Sequence, residues 1–462
     1  MISSARFHNA FHLRRFFCVL LTLIGLAVPP ARVSAQAPDG SSVESQSPAV
    51  FTLQSSIEYA LAHRFNLAAA RSAVSAAQAG VTLSRAQYRP NLSLGVNAVD
   101  IIQRQESLLI GDVLITEEES ADTFYSAGLT LSIPLFVEGG LVFRTLPSEK
   151  VARAGLKTQQ ETFQQTREEV IYNVSLAFFS SLKTDQEVLV QEEAVKVAEA
   201  QFRLAKERYD RGLITKTDFL LAQIAVTTGR KDLTVAQNNQ AIARLNLAVQ
   251  MGLDPTVPVR VENAAVSLPE LPPVQGLIQK AYRLRQDIAL QQAAVEAARG
   301  GLELSRSGRF PTMNLSSSYR IVDDYQAPLL AKSWQAVLSI SVPIWDFGGT
   351  GADISEKSYS LKSAEQILQE IKNLAAQEIH GLYATIKNQE AARSLLDQQL
   401  EQAEEALRAA EEKYRQNLVP QSYVLAAQQA KLTAQTARIT AEHDRQINYA
   451  SLRKAVGGEG TF

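Results

Sequence analysis

The chain has 462 residues, with 46 lysines and arginines against 48 aspartates and glutamates, and a formal net charge of −2. This near-neutral balance excludes the strongly basic surface that nucleic-acid binding requires, so no nucleic-acid partner is expected. The single cysteine excludes an internal disulfide.

The first residues have the pattern of a secretory signal peptide. Arginines precede an apolar run over residues 16–28, and small residues lead to a cleavage position after Ala35. The alternative, a membrane anchor, is disfavoured because a spanning helix needs about 20 apolar residues. Cys18 lies inside the run and not in a lipoprotein context. We therefore predict a cleaved signal peptide over residues 1–35 and a flexible lead-in over residues 36–50.

Residues 51–257 are predicted to form a helix, two strands and a long helical hairpin. Residues 92–98 and 126–133 alternate between apolar and polar side chains, which is typical of half-buried strands. Residues 148–211 contain no proline and carry apolar residues every seven positions, which indicates coiled-coil packing. Such a helix would be about 96 Å long. A returning helix over residues 215–251 completes the hairpin.

The same pattern occurs a second time. After a proline-rich equatorial linker over residues 258–273, a second structural repeat covers residues 274–457, and residues 458–462 form a tail. The residues from Tyr209 to Gly252 align with those from Tyr414 to Gly457 at a constant offset. A duplication on this scale is too long for a solenoid and predicts one structural unit used twice in a single body.

The four strands decide between two fold classes. Each is about 10 residues long, as a tilted transmembrane strand would be. Open sheet edges are not tolerated in lipid, and the smallest membrane barrels have about eight strands, so several chains would have to share one barrel. We predict a mainly α fold with β: long antiparallel coiled-coil helices forming an α-barrel, and four strands per chain in a shared 12-stranded transmembrane β-barrel of a trimer. The alternative is a soluble periplasmic coiled-coil scaffold or adaptor in which the strands form a small sheet.

A set of short motifs resembles the TolC-type outer-membrane efflux proteins over residues 51–457. The motifs are Phe51-Thr52-Leu53, Tyr88-Arg89-Pro90, Ile133-Pro134-Leu135-Phe136 with Gly139-Gly140, and Arg208-Tyr209 with Gly212-Leu213-Ile214-Thr215 and Thr217-Asp218. The resemblance implies a homotrimer in the lipid of the bacterial outer membrane, extending into the periplasm as a 12-helix tunnel. It also implies a passive duct without catalysis, with a periplasmic adaptor (membrane fusion) protein and an inner-membrane transporter as partners.

The same resemblance predicts docking of the adaptor at the two turns between long and returning helices. The candidate residues are Gly212, Leu213, Ile214, Thr215, Asn417, Leu418, Val419 and Pro420. A purely structural role is the alternative, because glycine and asparagine accept the left-handed conformation that ends a helix. Thr215 or Thr217 can then cap the returning helix.

A gate near these turns is also implied. Relatives close the tunnel through carboxylates and hydrogen bonds of tyrosine or arginine, and Asp218, Tyr209 and Tyr414 occupy matching positions. The second returning helix departs from that pattern, because Tyr423 and Ala426 stand where some relatives have aspartates. We therefore expect three copies of Asp218, together with Tyr423, to form the constriction.

Catalytic patterns are weak throughout. The histidines after the predicted signal peptide, His63, His380 and His443, fall on separate predicted helices without the spacing of metal ligands. The glycine pair Gly139-Gly140 follows a strand but lacks the lysine of a phosphate-binding loop. We predict no enzymatic activity, no cofactor and no metal site.

Overall fold

The computed structural model describes residues 49–103, 120–142, 145–262, 268–324, 327–416 and 418–458. The predicted signal peptide lies outside these residues, as do all but the last two positions of the predicted lead-in, residues 459–462 of the predicted tail, and Asn417. In the part of the chain that is described, no helix combines the length and the apolar character needed to cross a membrane.

Apart from the short strand β4, each repeat follows the same order of elements. In the first repeat these are α1 (Leu53–His63), α2 (Phe65–Ala86), β2 (Asn91–Gln103), β3 (Ser120–Val137), β4 (Gly140–Leu141), α3 (Pro147–Asp210) and α4 (Lys216–Met251). In the second repeat they are α5 (Val274–Leu284), α6 (Gln286–Ser307), β6 (Thr312–Asp324), β7 (Ala327–Ser341), α7 (Gly349–Arg415) and α8 (Gln421–Val456). The long helices, of 64 and 67 residues, agree closely with the predicted proline-free stretches.

Two further short strands pair with each other at the borders of the repeats. β1 (Ala49–Phe51) and β5 (Val259–Val261) run parallel, with Val50 opposite Arg260. β1 begins two residues inside the predicted lead-in, and β5 lies inside the predicted equatorial linker. The chain is therefore ordered by backbone pairing at two places where composition indicated irregular structure.

The single helix predicted before the strands of each repeat is wrong, since two helices occupy that stretch. The breaks fall at Arg64 and Arg285, both of which have extended backbone conformations. Neither residue type interrupts a helix by itself. Arg64 Nη1 donates to the carbonyl oxygen of Val249 at 2.8 Å, and Arg285 Nη1 donates to that of Ala455 at 3.2 Å. Each break thus places a cation at the carbonyl end of a returning helix, where the helix dipole favours positive charge.

The four long strands form one antiparallel sheet in the order β2-β3-β6-β7. They have 13, 18, 13 and 15 residues and exceed the predicted length, because pairing continues beyond the alternating segments. The β3–β6 ladder joins the first repeat to the second, with Leu129 opposite Tyr319. Within the described residues, β2 and β7 each pair along one edge only.

The register confirms the predicted alternation of the two faces. One row across the sheet contains Leu94, Leu129, Tyr319 and Trp334, whereas the next contains Ser93, Thr130, Ser318 and Gln335. The apolar face is open in a single chain, with Trp334 70% exposed. A sheet that leaves its apolar side uncovered requires a further apolar environment.

The buried core lies instead among the helices, in two clusters. Phe178, Leu247 and Met251 mark the first, where α3 meets the end of α4. The second contains Leu277, Ile379 and Leu452, from α5, α7 and α8. Both clusters lie beside a helix break, so the contacts of Arg64 and Arg285 lie at the ends of the two clusters.

The two arginine contacts differ in their surroundings, and we expect them to differ in strength. Arg285 also pairs with Asp287 at 2.9 Å and with Glu378 at 2.7 Å, whereas Asn66 stands where the first repeat would have the aspartate. Arg285→Ala should lower the free energy of unfolding by about 2–3 kcal/mol, because carboxylates lose their partner. Arg64→Ala should lower it by about 1 kcal/mol.

Denaturant unfolding followed by helical circular dichroism measures both losses. Arg71→Ala, which alters an exposed residue of α2, serves as the control and should leave the unfolding free energy unchanged. Equal losses for Arg64→Ala and Arg285→Ala would contradict the role given to Asp287 and Glu378.

Candidate functional site at the helical tips

The first tip, residues 211–215, is a glycine-terminated helix end. Gly212 has φ +71°, a left-handed conformation that favours glycine. Its amide donates to the carbonyl of Tyr209 at 2.9 Å, and the amide of Leu213 donates to that of Arg208 at 2.8 Å. These two bonds form a Schellman motif, which satisfies carbonyls that the helix leaves free.

Thr215, rather than Thr217, caps the returning helix α4. Its Oγ1 accepts a hydrogen bond from the amide of Asp218 at 3.1 Å and donates one to the Asp218 carboxylate at 2.8 Å. The hydroxyl therefore satisfies an N–H at the start of the helix and holds the Asp218 side chain beside the turn. Asp218 is thus a local helix-capping partner as well as a candidate gate residue.

The second tip, residues 416–420, begins in the same way and ends differently. The amide of Leu418 donates to the carbonyl of Lys413 at 2.9 Å, as Leu213 does to Arg208. Asn417, the predicted left-handed residue, lies outside the described part of the chain. Pro420 occupies the N-cap position of α8 and provides no side-chain hydrogen bond. The second returning helix therefore lacks the threonine cap of the first.

Arg208 connects the two hairpins. Its Nη1 donates to the carbonyl of Tyr414 at 3.1 Å, and its Nη2 to that of Arg415 at 3.4 Å. The guanidinium carbon also lies 4.6 Å from the centre of the Tyr414 ring, within cation–π range. A cation of the first hairpin thus stabilises the carbonyl end of α7 in the second.

Tyr414 is buried at this junction, with 4% of its surface exposed. Burial raises the pKa of its phenol. The positive charge of Arg208 lowers this pKa, and the negative charge of Asp218 raises it, with burial as the largest effect. The phenol therefore stays protonated at neutral pH and keeps its hydroxyl hydrogen available for donation.

The structure brings together two of the four predicted gate residues. Asp218 and Tyr414 line one surface depression between the tips, which we call the tip depression; the other residues lining it are Gly212, Leu213, Ile214, Thr215, Leu418, Val419, Pro420 and Gln421. Tyr209 instead stacks on Phe219 of its own hairpin, with ring centres 5.1 Å apart. Tyr423 does not line the depression, and its side chain is exposed.

Two residues at or beside the tip depression, Arg208 and Gln421, were not among the predicted site residues. Arg208 could have been found, because a basic residue in the last turn of a helix often binds free carbonyls. Gln421 gives no such signal, since a glutamine in the first turn of a helix is ordinarily solvated. Across the residues described here, no cluster of three or more His, Cys, Asp and Glu side chains could hold a metal ion.

Loss of the Arg208 side chain should loosen the second tip. We expect Arg208→Ala to speed hydrogen exchange of the amides of residues 412–416 by at least about tenfold, because one hydrogen bond to a charged group contributes about 1.5–3 kcal/mol. Exchange followed by mass spectrometry measures the effect. Arg203→Ala, an exposed change one and a half turns earlier on α3, should leave it unchanged, and equal exchange in both variants would disprove the link.

Comparison with known proteins identifies the family. The family described as outer membrane efflux protein matches residues 56–253 and 277–458. Protein CyaE of Bordetella pertussis is 24% identical over 373 residues, covering 79% of this chain and 75% of CyaE. TolC, an outer membrane protein of Escherichia coli, is 22% identical over 273 residues, covering 55% of each chain.

A solved structure has the same fold. The outer membrane protein VceC of Vibrio cholerae superimposes with a TM-score of 0.75 at 19% identity, covering 88% of this chain and 96% of VceC. The predicted combination of long helices with a few strands is therefore confirmed, as is the resemblance to TolC-type proteins. Because the family matches cover both repeats, the chain belongs to the outer membrane efflux protein family and is an outer-membrane component of an efflux system.

Proposed function

We propose that three copies of this chain form a passive exit duct, with a shared 12-stranded β-barrel in the outer membrane and an α-barrel of long helices in the periplasm. The observation that carries this proposal is the four-stranded sheet, whose outer strands β2 and β7 pair along one edge only among the described residues. Unpaired backbone groups are not tolerated in lipid, so each edge needs a strand from another copy.

The direction of the strands supports closure into a ring. All neighbours in the order β2-β3-β6-β7 are antiparallel, so β7 would meet β2 of the next copy in antiparallel orientation as well. Twelve strands is an even number, as bacterial outer-membrane barrels require. The row of Leu94 and Trp334 would then face lipid, and the row of Ser93 and Gln335 would face the lumen.

The duplication also predicts the register between copies. Leu129 of β3 pairs with Tyr319 of β6, and their counterparts in the other repeat are Leu338 of β7 and Ala98 of β2. If successive repeats pair alike around the ring, Leu338 lies opposite Ala98 of the next copy. Directly opposite residues have Cβ atoms about 4.5–5.5 Å apart, close enough for a disulfide after modest adjustment.

Cysteine cross-linking tests this register. We expect Ala98→Cys with Leu338→Cys to give covalently linked trimers on oxidation, in an outer-membrane fraction. The matched control pairs Ala98→Cys with Val337→Cys, which lies on the opposite face of β7 and should not cross-link. A monomeric periplasmic protein, without conductance in planar bilayers, would refute the duct and restore the soluble-scaffold alternative.

The two tips are the proposed binding sites for partner proteins. We infer that a periplasmic adaptor docks at Gly212, Leu213, Ile214, Thr215, Asn417, Leu418, Val419 and Pro420, and that an inner-membrane transporter completes the assembly. Leu213 and Leu418 are strongly exposed at matching positions of the two tips, which suits contact with a protein partner. In this proposal the duct itself performs no catalysis, and a signal peptide over residues 1–35 is removed during export.

Asp218 is the main residue of the proposed gate. In a trimer, three Asp218 carboxylates would surround the passage, each beside Tyr414. Tyr209 and Tyr423 would lie on the exposed side. Asp218→Ala should raise single-channel conductance and reduce the preference for cations, because a carboxylate ring attracts cations and narrows the aperture. The backbone cap from Thr215 to residue 218 remains in this variant.

Planar-bilayer recording measures both quantities. Asp210→Ala removes an exposed carboxylate from the end of α3 and serves as the control for a general change in surface charge. An unchanged conductance and ion preference in Asp218→Ala would remove this residue from the gate.

A further inference from the structure

Gln421, the first residue of α8, is the most unusual side chain of the tips. Its exposed fraction is 0%, and neither its amide nitrogen nor its amide oxygen has a hydrogen-bond partner within the described part of the chain. The residue lines the tip depression together with Asp218 and Tyr414. A buried amide without partners is unfavourable, because it has lost water and gained nothing in return.

The first repeat shows that this burial is not required to start the helix. Lys216 occupies the equivalent first position of α4 and is exposed. There, Thr215 and Asp218 satisfy the start of the helix, whereas Pro420 gives α8 no side-chain cap. The two repeats therefore differ in the burial of this position, and Gln421 lies in the depression that residues of both tips line.

Arg208 and Gln421 thus have opposite effects on the stability of the contact between the two tips. Arg208 holds the second hairpin against the first through the carbonyls of Tyr414 and Arg415. Gln421 penalises the same arrangement, because its amide is dry while the tips are together and would meet water once they separate. We propose that Gln421 is a positioning residue of the gate, which biases the two tips toward separation and so lowers the stability of the closed passage.

This inference rests on the proposed function in one respect, namely that the tips bound the passage. The bias itself is a property of one chain. It predicts that an apolar side chain of similar length favours the closed arrangement, since the penalty of the unpaired amide disappears while the packing volume is kept.

The experiment compares Gln421→Met with Lys216→Met, which makes the same change at the equivalent exposed position of the first repeat. In planar bilayers, Gln421→Met should lower the ratio of open to closed time by about 5- to 150-fold, the range that corresponds to one unpaired buried polar group. Lys216→Met should leave that ratio close to the wild-type value. A ratio that is unchanged or raised in Gln421→Met would overturn the inference.

A second measurement does not depend on conductance. Hydrogen exchange of residues 412–416 and 421–425 should be slower in Gln421→Met than in wild type, and the double variant Arg208→Ala with Gln421→Met should return toward wild-type exchange. If the wild-type protein forms no channel, the proposed duct fails, yet exchange still tests Gln421. Faster or equal exchange in Gln421→Met, with trimer and helix content retained, would refute the role of this residue.

Discussion

The backbone pairing of β3 with β6 joins the two repeats into one sheet, and the order of the strands depends on it. Through this ladder the second repeat continues the sheet that the first begins, with Leu129 opposite Tyr319. The pairing leaves β2 and β7 as outer strands and gives the whole sheet one apolar and one polar side. In the proposed duct the outer strands β2 and β7 would pair with further copies, because hydrogen-bonding groups at a sheet edge need partners in lipid.

The long helices depend on a different interaction, the burial of apolar side chains. Most of the stability of a helix in a protein comes from packing, so a long helix buries an apolar stripe against its neighbours. The core clusters around Phe178 and Ile379 do this close to the helix breaks at Arg64 and Arg285. Each break presents a cation to the carbonyl end of a returning helix, and the second is strengthened by Asp287 and Glu378. The two repeats therefore have similar arginine contacts, and we expect that of Arg285 to be the stronger.

The tips are where the repeats differ most in chemistry. The first tip is self-sufficient, since Gly212, Thr215 and Asp218 satisfy its helix ends. The second depends on Arg208 from the first hairpin and buries the amide of Gln421. The junction therefore combines the stabilising contact of Arg208 with the unfavourable burial of the Gln421 amide.

The sequence by itself determined the duplication, the proline-free long helices, the alternation of the strands and the family, because each depends on local periodicity or residue order. It also identified Asp218 and Tyr414, which the folded chain brings to one depression. It could not place the breaks at Arg64 and Arg285, since neither residue type interrupts a helix and each side chain contacts a carbonyl more than 160 residues away in the chain. The separation of Tyr209 from Tyr414 and the burial of Gln421 were likewise decided only by tertiary structure. Tyr209 stacks on Phe219 across the turn of its own hairpin, whereas Gln421 lies where the two hairpins meet, and that meeting depends on helices far apart in the sequence.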